Sequence, residues 1–129
     1  MENAQINAVV EANNAAVAAG DMEAILATFE QGGAMQGQPG MVAQGTDALR
    51  GAFGHFIGMK PQISVKAHEI IQTGDIALHS STWDMKMTAP DGSEIEQSGF
   101  SVVVLRRQAD GCWLMVIDNP FGAHLMAQG

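Results

Sequence analysis

The stretch QISVKAHEIIQTGDIALHSSTWDMKM, residues 62–87, decides the fold. In its second half Ala77, His79, Ser81, Trp83, Met85 and Met87 share one parity, while Leu78, Ser80, Thr82, Asp84 and Lys86 share the other, so the Trp83 side belongs inside. In its first half the apolar parity is Ile63, Val65, Ala67 and Ile71, and it carries Glu69 with it. Thr73-Gly74-Asp75 read as a three-residue turn pairs Ile63 with Met85 and Val65 with Trp83. That register sets Glu69 opposite His79 on the inner face, unless the strand bulges and turns Glu69 outward.

Downstream the alternation continues through Glu94–Arg107 and Cys112–Phe121, separated by the turn signals Pro90-Asp91-Gly92 and Asp110-Gly111. Short turns force antiparallel neighbours. Upstream, Ile6, Val9, Val10, Asn13 and Val17 recur at helical spacing as far as Gly20, and Asp21 caps a second helix whose inner face is Met22, Ile25, Leu26 and Phe29. The glycine-rich segment Gln31–Gln44, which contains Pro39, reads as a short strand near Ala34–Gln36 followed by a loop. Thr46 caps a third helix with Leu49, Phe53, Phe56 and Ile57 inward, ended by Pro61. The expected fold class is therefore α+β, with three N-terminal helices packed on a strongly curved, mostly antiparallel sheet. In the last strand Trp113, Met115, Ile117 and Asn119 share the inner parity, leaving Asp118 for the rim or an interface. Because both faces of that strand are apolar, the sheet's outer face is expected to meet a second copy in a homodimer.

The 129 residues make one domain, 1–129, able to bury roughly two thirds of its unfolded surface. Six Lys and Arg against 14 Asp and Glu give a formal charge of −8, which repels phosphate backbones and anionic lipid. Neither nucleic acid nor a membrane is expected as a partner. The single cysteine, Cys112, forms no internal disulfide, and the N-terminal stretch lacks the features of an export signal, so the expected location is cytoplasmic. His55, His68, His79 and His124 have no metal-ligand spacing, and no glycine-rich phosphate loop is present, so neither metal nor cofactor is expected.

Four segments together resemble the NTF2-like superfamily, the cone-shaped α+β barrels that include steroid delta-isomerases and SnoaL-like cyclases. They are AVVEANNAAVAAGDMEAILATFEQGGAM at 8–35, QGTDALRGAF at 44–53, TGDIAL at 73–78 and DGCWLMVIDNPFG at 110–122. The resemblance implies a deep pocket between the helices and the inner sheet face, commonly in a homodimer. It does not extend to steroid isomerase chemistry. Asn13 stands where the tyrosine donor would be, Gln36 or Gly37 where the base would be, and no carboxylate lies in Ser101–Leu105 to serve as the second acid.

The expected ligand is a small, largely apolar organic molecule held by Phe53, Trp83, Met85 and Ile117, with Asn13, Gln36, His79 and Asn119 fixing its polar end. If the domain is an enzyme, His79 oriented by Glu69 is the candidate acid or base, in an isomerase, cyclase or hydrolase-like reaction. The competing reading is a non-catalytic ligand-binding or assembly domain.

Overall fold

In the computed structural model, which describes residues 2–38 and 40–122, two helices open the chain: α1 (Glu2–Ala19) and α2 (Met22–Ala27). The hairpin β1 (Phe29–Gln38) and β2 (Met41–Gln44) follows, then α3 (Thr46–Ile57), β3 (Gln62–Thr73), β4 (Ile76–Thr88), β5 (Glu94–Arg107) and β6 (Trp113–Asn119). The architecture is α+β. Gly20, at φ 71, ends α1, and the Asp21 carboxylate accepts from the Ala24 N–H at 3.2 Å to start α2. Three boundaries differ from the sequence reading. Phe29 opens a strand rather than closing α2, and the segment expected as a loop after Gln36 carries the end of β1 and the strand β2 that pairs with it. Thr46 is the first helical residue of α3, and the capping position falls on Gly45 at φ 88, which no L side chain adopts easily.

The six strands form one sheet in the order β2-β1-β6-β5-β4-β3, parallel only between β1 and β6. Its inner face packs on the helices through Ile6, Val17, Ile25, Leu49, Leu105 and Met115, each exposed by 2% or less. Trp83, Met85 and Met87 make a second cluster toward the other end of β4, against Phe56, Met59 and Ile63. Between these two clusters the curved sheet and the helices enclose a hollow.

Two bulges decide which side chains face it. Ile63 pairs with Met85 and Val65 with Trp83, as the alternation requires. Lys66 is then an extra residue, and from Ala67 onward the ladder is offset by one, so that Ile70 faces His79 and Glu69 faces Ser80. The expected Glu69–His79 pairing is therefore corrected: Glu69 is exposed, and the turn is the two-residue Gly74-Asp75 with Gly74 at φ 55. A second irregularity lies in β6, where Leu105 pairs with Met115 but Val104 pairs with Ile117. Val116 is the extra residue. Beyond it the parity reverses, so Asp118 points inward and is buried, while Ile117, 47% exposed, and Asn119 turn to the outer face. The expectation that Ile117 and Asn119 line the interior is corrected on the same ground.

Trp83 lies across the ladder from Gly99, and the indole fills the place of the missing side chain. A Cβ there would stand 2.3 Å from Trp83 Cζ2. Gly99→Ala must displace the indole, and overpacking of this kind costs about 1–3 kcal/mol. A lowered urea midpoint together with a changed near-ultraviolet circular dichroism band is expected. An unaltered band and midpoint would show that the ring does not rest on this glycine.

Candidate functional site

The hollow between the two core clusters is a cavity of about 370 Å³. Each wall comes from a different element: Val10, Asn13 and Val17 from α1, Phe53 and Phe56 from α3, Met35 and Gln36 from β1. The inner parity of β4 supplies Ser81, Trp83, Met85 and Met87, and β6 supplies Met115 and Asp118. Thioethers and aromatic rings dominate, giving a soft wall that adapts to irregular apolar shapes. His55 and Gln97, both exposed, stand at its edge. Of the residues singled out from sequence, Asn13, Gln36, Phe53, Trp83 and Met85 come together here. Glu69, His79, Ile117 and Asn119 are not among the described lining residues. His124 lies outside the described residues.

Asp118 is the residue that alternation misplaced. Its ladder partner is Val103, itself buried, and its side chain faces the cavity. Among the described residues no cation or hydrogen-bond donor offsets its desolvation, and burial pushes the carboxyl up to about 7. An ionisable oxygen pair in an apolar hollow, half protonated near neutrality, can give or take a proton at little free-energy cost. The signal in the sequence was the acid itself, at the end of an otherwise apolar strand. The bulge that turns it inward had no signature.

Asn13 has a fixed orientation. The Thr28 hydroxyl spends its one proton on the Ile25 carbonyl at 2.6 Å, so Thr28 Oγ1 must act as acceptor toward Asn13 Nδ2 at 3.0 Å. His79 is held in a different network. Asn7 Nδ2 donates to the Glu11 carboxylate, which turns Asn7 Oδ1 toward His79 Nε2 at 2.8 Å and makes Nε2 the donor. The imidazole is 1% exposed, its Nδ1 is sealed without a partner among the described residues, and it stacks on His68 at 5.3 Å. Burial first, then the neighbouring His68, lower its pKa from the ordinary 6.5. This arrangement ties α1 to β4. Glu69 lines a separate surface depression with Asn3, Asn7 and His68.

A family model for the SnoaL-like domain matches residues 10–114. The chain belongs to the SnoaL-like family. It is thereby a member of the NTF2-like superfamily, whose fold recurs in many solved structures. The ketosteroid isomerase-like protein of Erwinia carotovora atroseptica is 24% identical with a TM-score of 0.79, over 90% of this chain and 92% of that one. A cystatin-like-fold protein of unknown function from Nostoc punctiforme is 22% identical with a TM-score of 0.77, over 91% and 87%. An NTF2-like protein with a cystatin-like fold from Novosphingobium aromaticivorans is 15% identical with a TM-score of 0.76, over 91% and 79%. At these identities the SnoaL-like chain and its neighbours share a fold. No curated protein matches the sequence. Among the described residues no helix is long and apolar enough to cross a membrane, and no group of three or more His, Cys, Asp or Glu side chains is placed to hold a metal ion.

The two buried titratable groups pull stability in opposite directions with pH. Asp118, with its folded pKa raised, supports folding fully below the unfolded value near 4. That support declines as pH rises through about 7, by about 4 kcal/mol in all. His79, with its folded pKa lowered, supports folding above about 6.5, and that support is lost as pH falls. Asp118→Asn is therefore expected to raise the urea midpoint at about pH 8 relative to its effect at about pH 4. His79→Gln is expected to flatten the loss between about pH 7 and pH 5. Parallel pH curves for wild type and both variants would contradict both assignments.

Proposed function

We propose that the cavity of this SnoaL-like domain binds a small, largely apolar organic molecule and that Asp118 exchanges a proton with it. The observation that supports this reading is a carboxyl with no compensating partner among the described residues, facing an apolar hollow of about 370 Å³. Phe53, Trp83 and Met85 supply apolar contact, while Asn13 and Gln36 orient the polar end. As the carboxylate, Asp118 accepts a proton from carbon or oxygen of the bound molecule; as the acid, it returns one at a second atom. Isomerisation and cyclisation use that pair of steps, and a hydrolysis-like reaction uses it with the first proton taken from an attacking water. In this reading Asp118, not the His79–Glu69 pair expected from sequence, is the acid or base, because His79 donates to Asn7 and Glu69 faces solvent.

A thermal-shift panel of apolar acids, ketones, lactones and alcohols tests binding, since a compound preferring the native state raises its melting temperature. Compounds that bind are then followed for product or for solvent deuterium incorporation. Asp118→Asn should keep binding and lose turnover by about 10²–10⁴-fold, and wild-type turnover should change with an inflection near pH 7. Binding without turnover at any pH would make the domain a carrier. No stabilisation across the panel would defeat the reading.

The outer sheet face supports a second proposal, a homodimer. Ile71, Leu78, Val104 and Ile117 form a continuous transverse row across four strands, and exposed Phe100 shares the same outer face farther along β5. Ile71 is 61% and Ile117 47% exposed, a large apolar stripe to leave in water. Light scattering at micromolar concentration should give twice the chain mass, and Ile117→Lys should halve it. A wild-type monomer would remove the dimer. The cytoplasmic location stays part of this proposal, on the single cysteine alone.

A further inference from the structure

The hydrogen bonds around Asn13 say which end of its amide the cavity receives. Asn13 is 5% exposed, on α1, and lines the cavity. Thr28, behind it, is occupied as a donor by the Ile25 carbonyl and so holds Asn13 by the nitrogen. Exchanging the amide's ends would set Oδ1 against an oxygen with no proton to offer, which leaves two buried acceptors in contact. Oδ1 meets no donor among the described residues. Nor is it one of the sealed polar atoms of the core, so it is open to the hollow.

Resting on the reading of the cavity as a small-molecule site, we propose that Asn13 Oδ1 selects for a ligand bearing a hydroxyl group, with Thr28 as the residue that sets this preference. A hydroxyl donates its proton to Oδ1, and its oxygen is able to accept the second Nδ2 hydrogen. A ketone oxygen does only the latter and leaves Oδ1 desolvated without a donor. An alkyl group leaves both amide ends unmet. The substrate class is thus an apolar skeleton carrying an alcohol or enol, with Asp118 as the only described carboxyl lining the same hollow. Thr28 does not line the cavity and acts through Asn13, so it is a positioning residue.

Three probes of matched size test this: decalol, decalone and methyldecalin, titrated calorimetrically. Wild type is expected to bind the alcohol at least about tenfold more tightly than the ketone, the penalty of one unmet buried acceptor. Thr28→Val frees the amide to turn its nitrogen inward and should bring the alcohol-to-ketone ratio to about one or below. Asn13→Leu should bind alcohol and hydrocarbon alike. A purely structural role for Thr28 would weaken all three probes together and leave their ratios unchanged. The wild-type ratio is decisive even where a variant fails to fold. Equal or tighter binding of the ketone by wild type overturns the hydroxyl preference while leaving the cavity reading intact, as does a ratio that persists in both variants. Failure of all three probes to bind overturns both.

Discussion

One inserted residue, Val116, governs the chemistry of the interior. A strand presents alternate side chains to opposite faces, so an extra residue in the ladder inverts every assignment beyond it. Before Val116, β6 offers Trp113 and Met115 to the core; after it, the strand turns Asp118 inward and sends Ile117 and Asn119 out. The same step that places a carboxyl in the hollow moves an isoleucine onto the outer face, where it completes an apolar row from Ile71 through Leu78 and Val104. The catalytic candidate and the candidate dimer surface share one cause.

Lys66 does the same in β3, with the opposite consequence for the site. Its bulge keeps Ile63 and Val65 against Met85 and Trp83 but carries Glu69 to solvent, and leaves His79 facing Ile70. The long amphipathic charge fits there, because its ammonium reaches Asp84 at 3.8 Å on the outer face, a weak exposed pair. His79 is then buried among α1, β3 and β4 and becomes a strut to Asn7 rather than a group exposed to a ligand.

These two residues also mark how far the chain could be read without coordinates. Helix ends were legible where a side chain or glycine imposes them: Gly20 at positive φ and Asp21 bonded to the Ala24 N–H both act locally. The inner face of β4 was legible because its alternation is unbroken, which brought Trp83, Met85 and Ser81 inside. Beyond a bulge, parity fails, and neither Val116 nor Lys66 is the kind of residue that announces one. The β1–β2 hairpin was missed for another reason. β1 draws its stability from pairing with β6, a tertiary contact across most of the chain, so glycine-rich local preference was overridden. Asn13 was legible as a polar break in an apolar helix face, but its orientation depended on Thr28, which only α2's end brings near.

The placement of Asp118 is informative because it is unfavourable for folding. A valine or leucine beside Val103 would fill that site without a desolvated carboxyl, and at neutral pH the acid subtracts stability instead of adding it. Buried acids are normally relieved by a cation or by donors, yet the Arg side chains of this chain are committed on the outside, Arg50 to Glu23, Arg106 to Glu30, and Arg107 to Glu2 and Asp75. Proteins carry local costs of this kind chiefly where the cost is tied to function, since a stabilising substitution is otherwise easy to reach. The steroid isomerase pattern would put an acid within Ser101–Leu105; here that strand supplies Val103, and the acid stands directly across the ladder on β6. The ladder pairing of Val103 with Asp118 thus puts the one described carboxyl of the hollow on β6, with no acid on the facing stretch of β5.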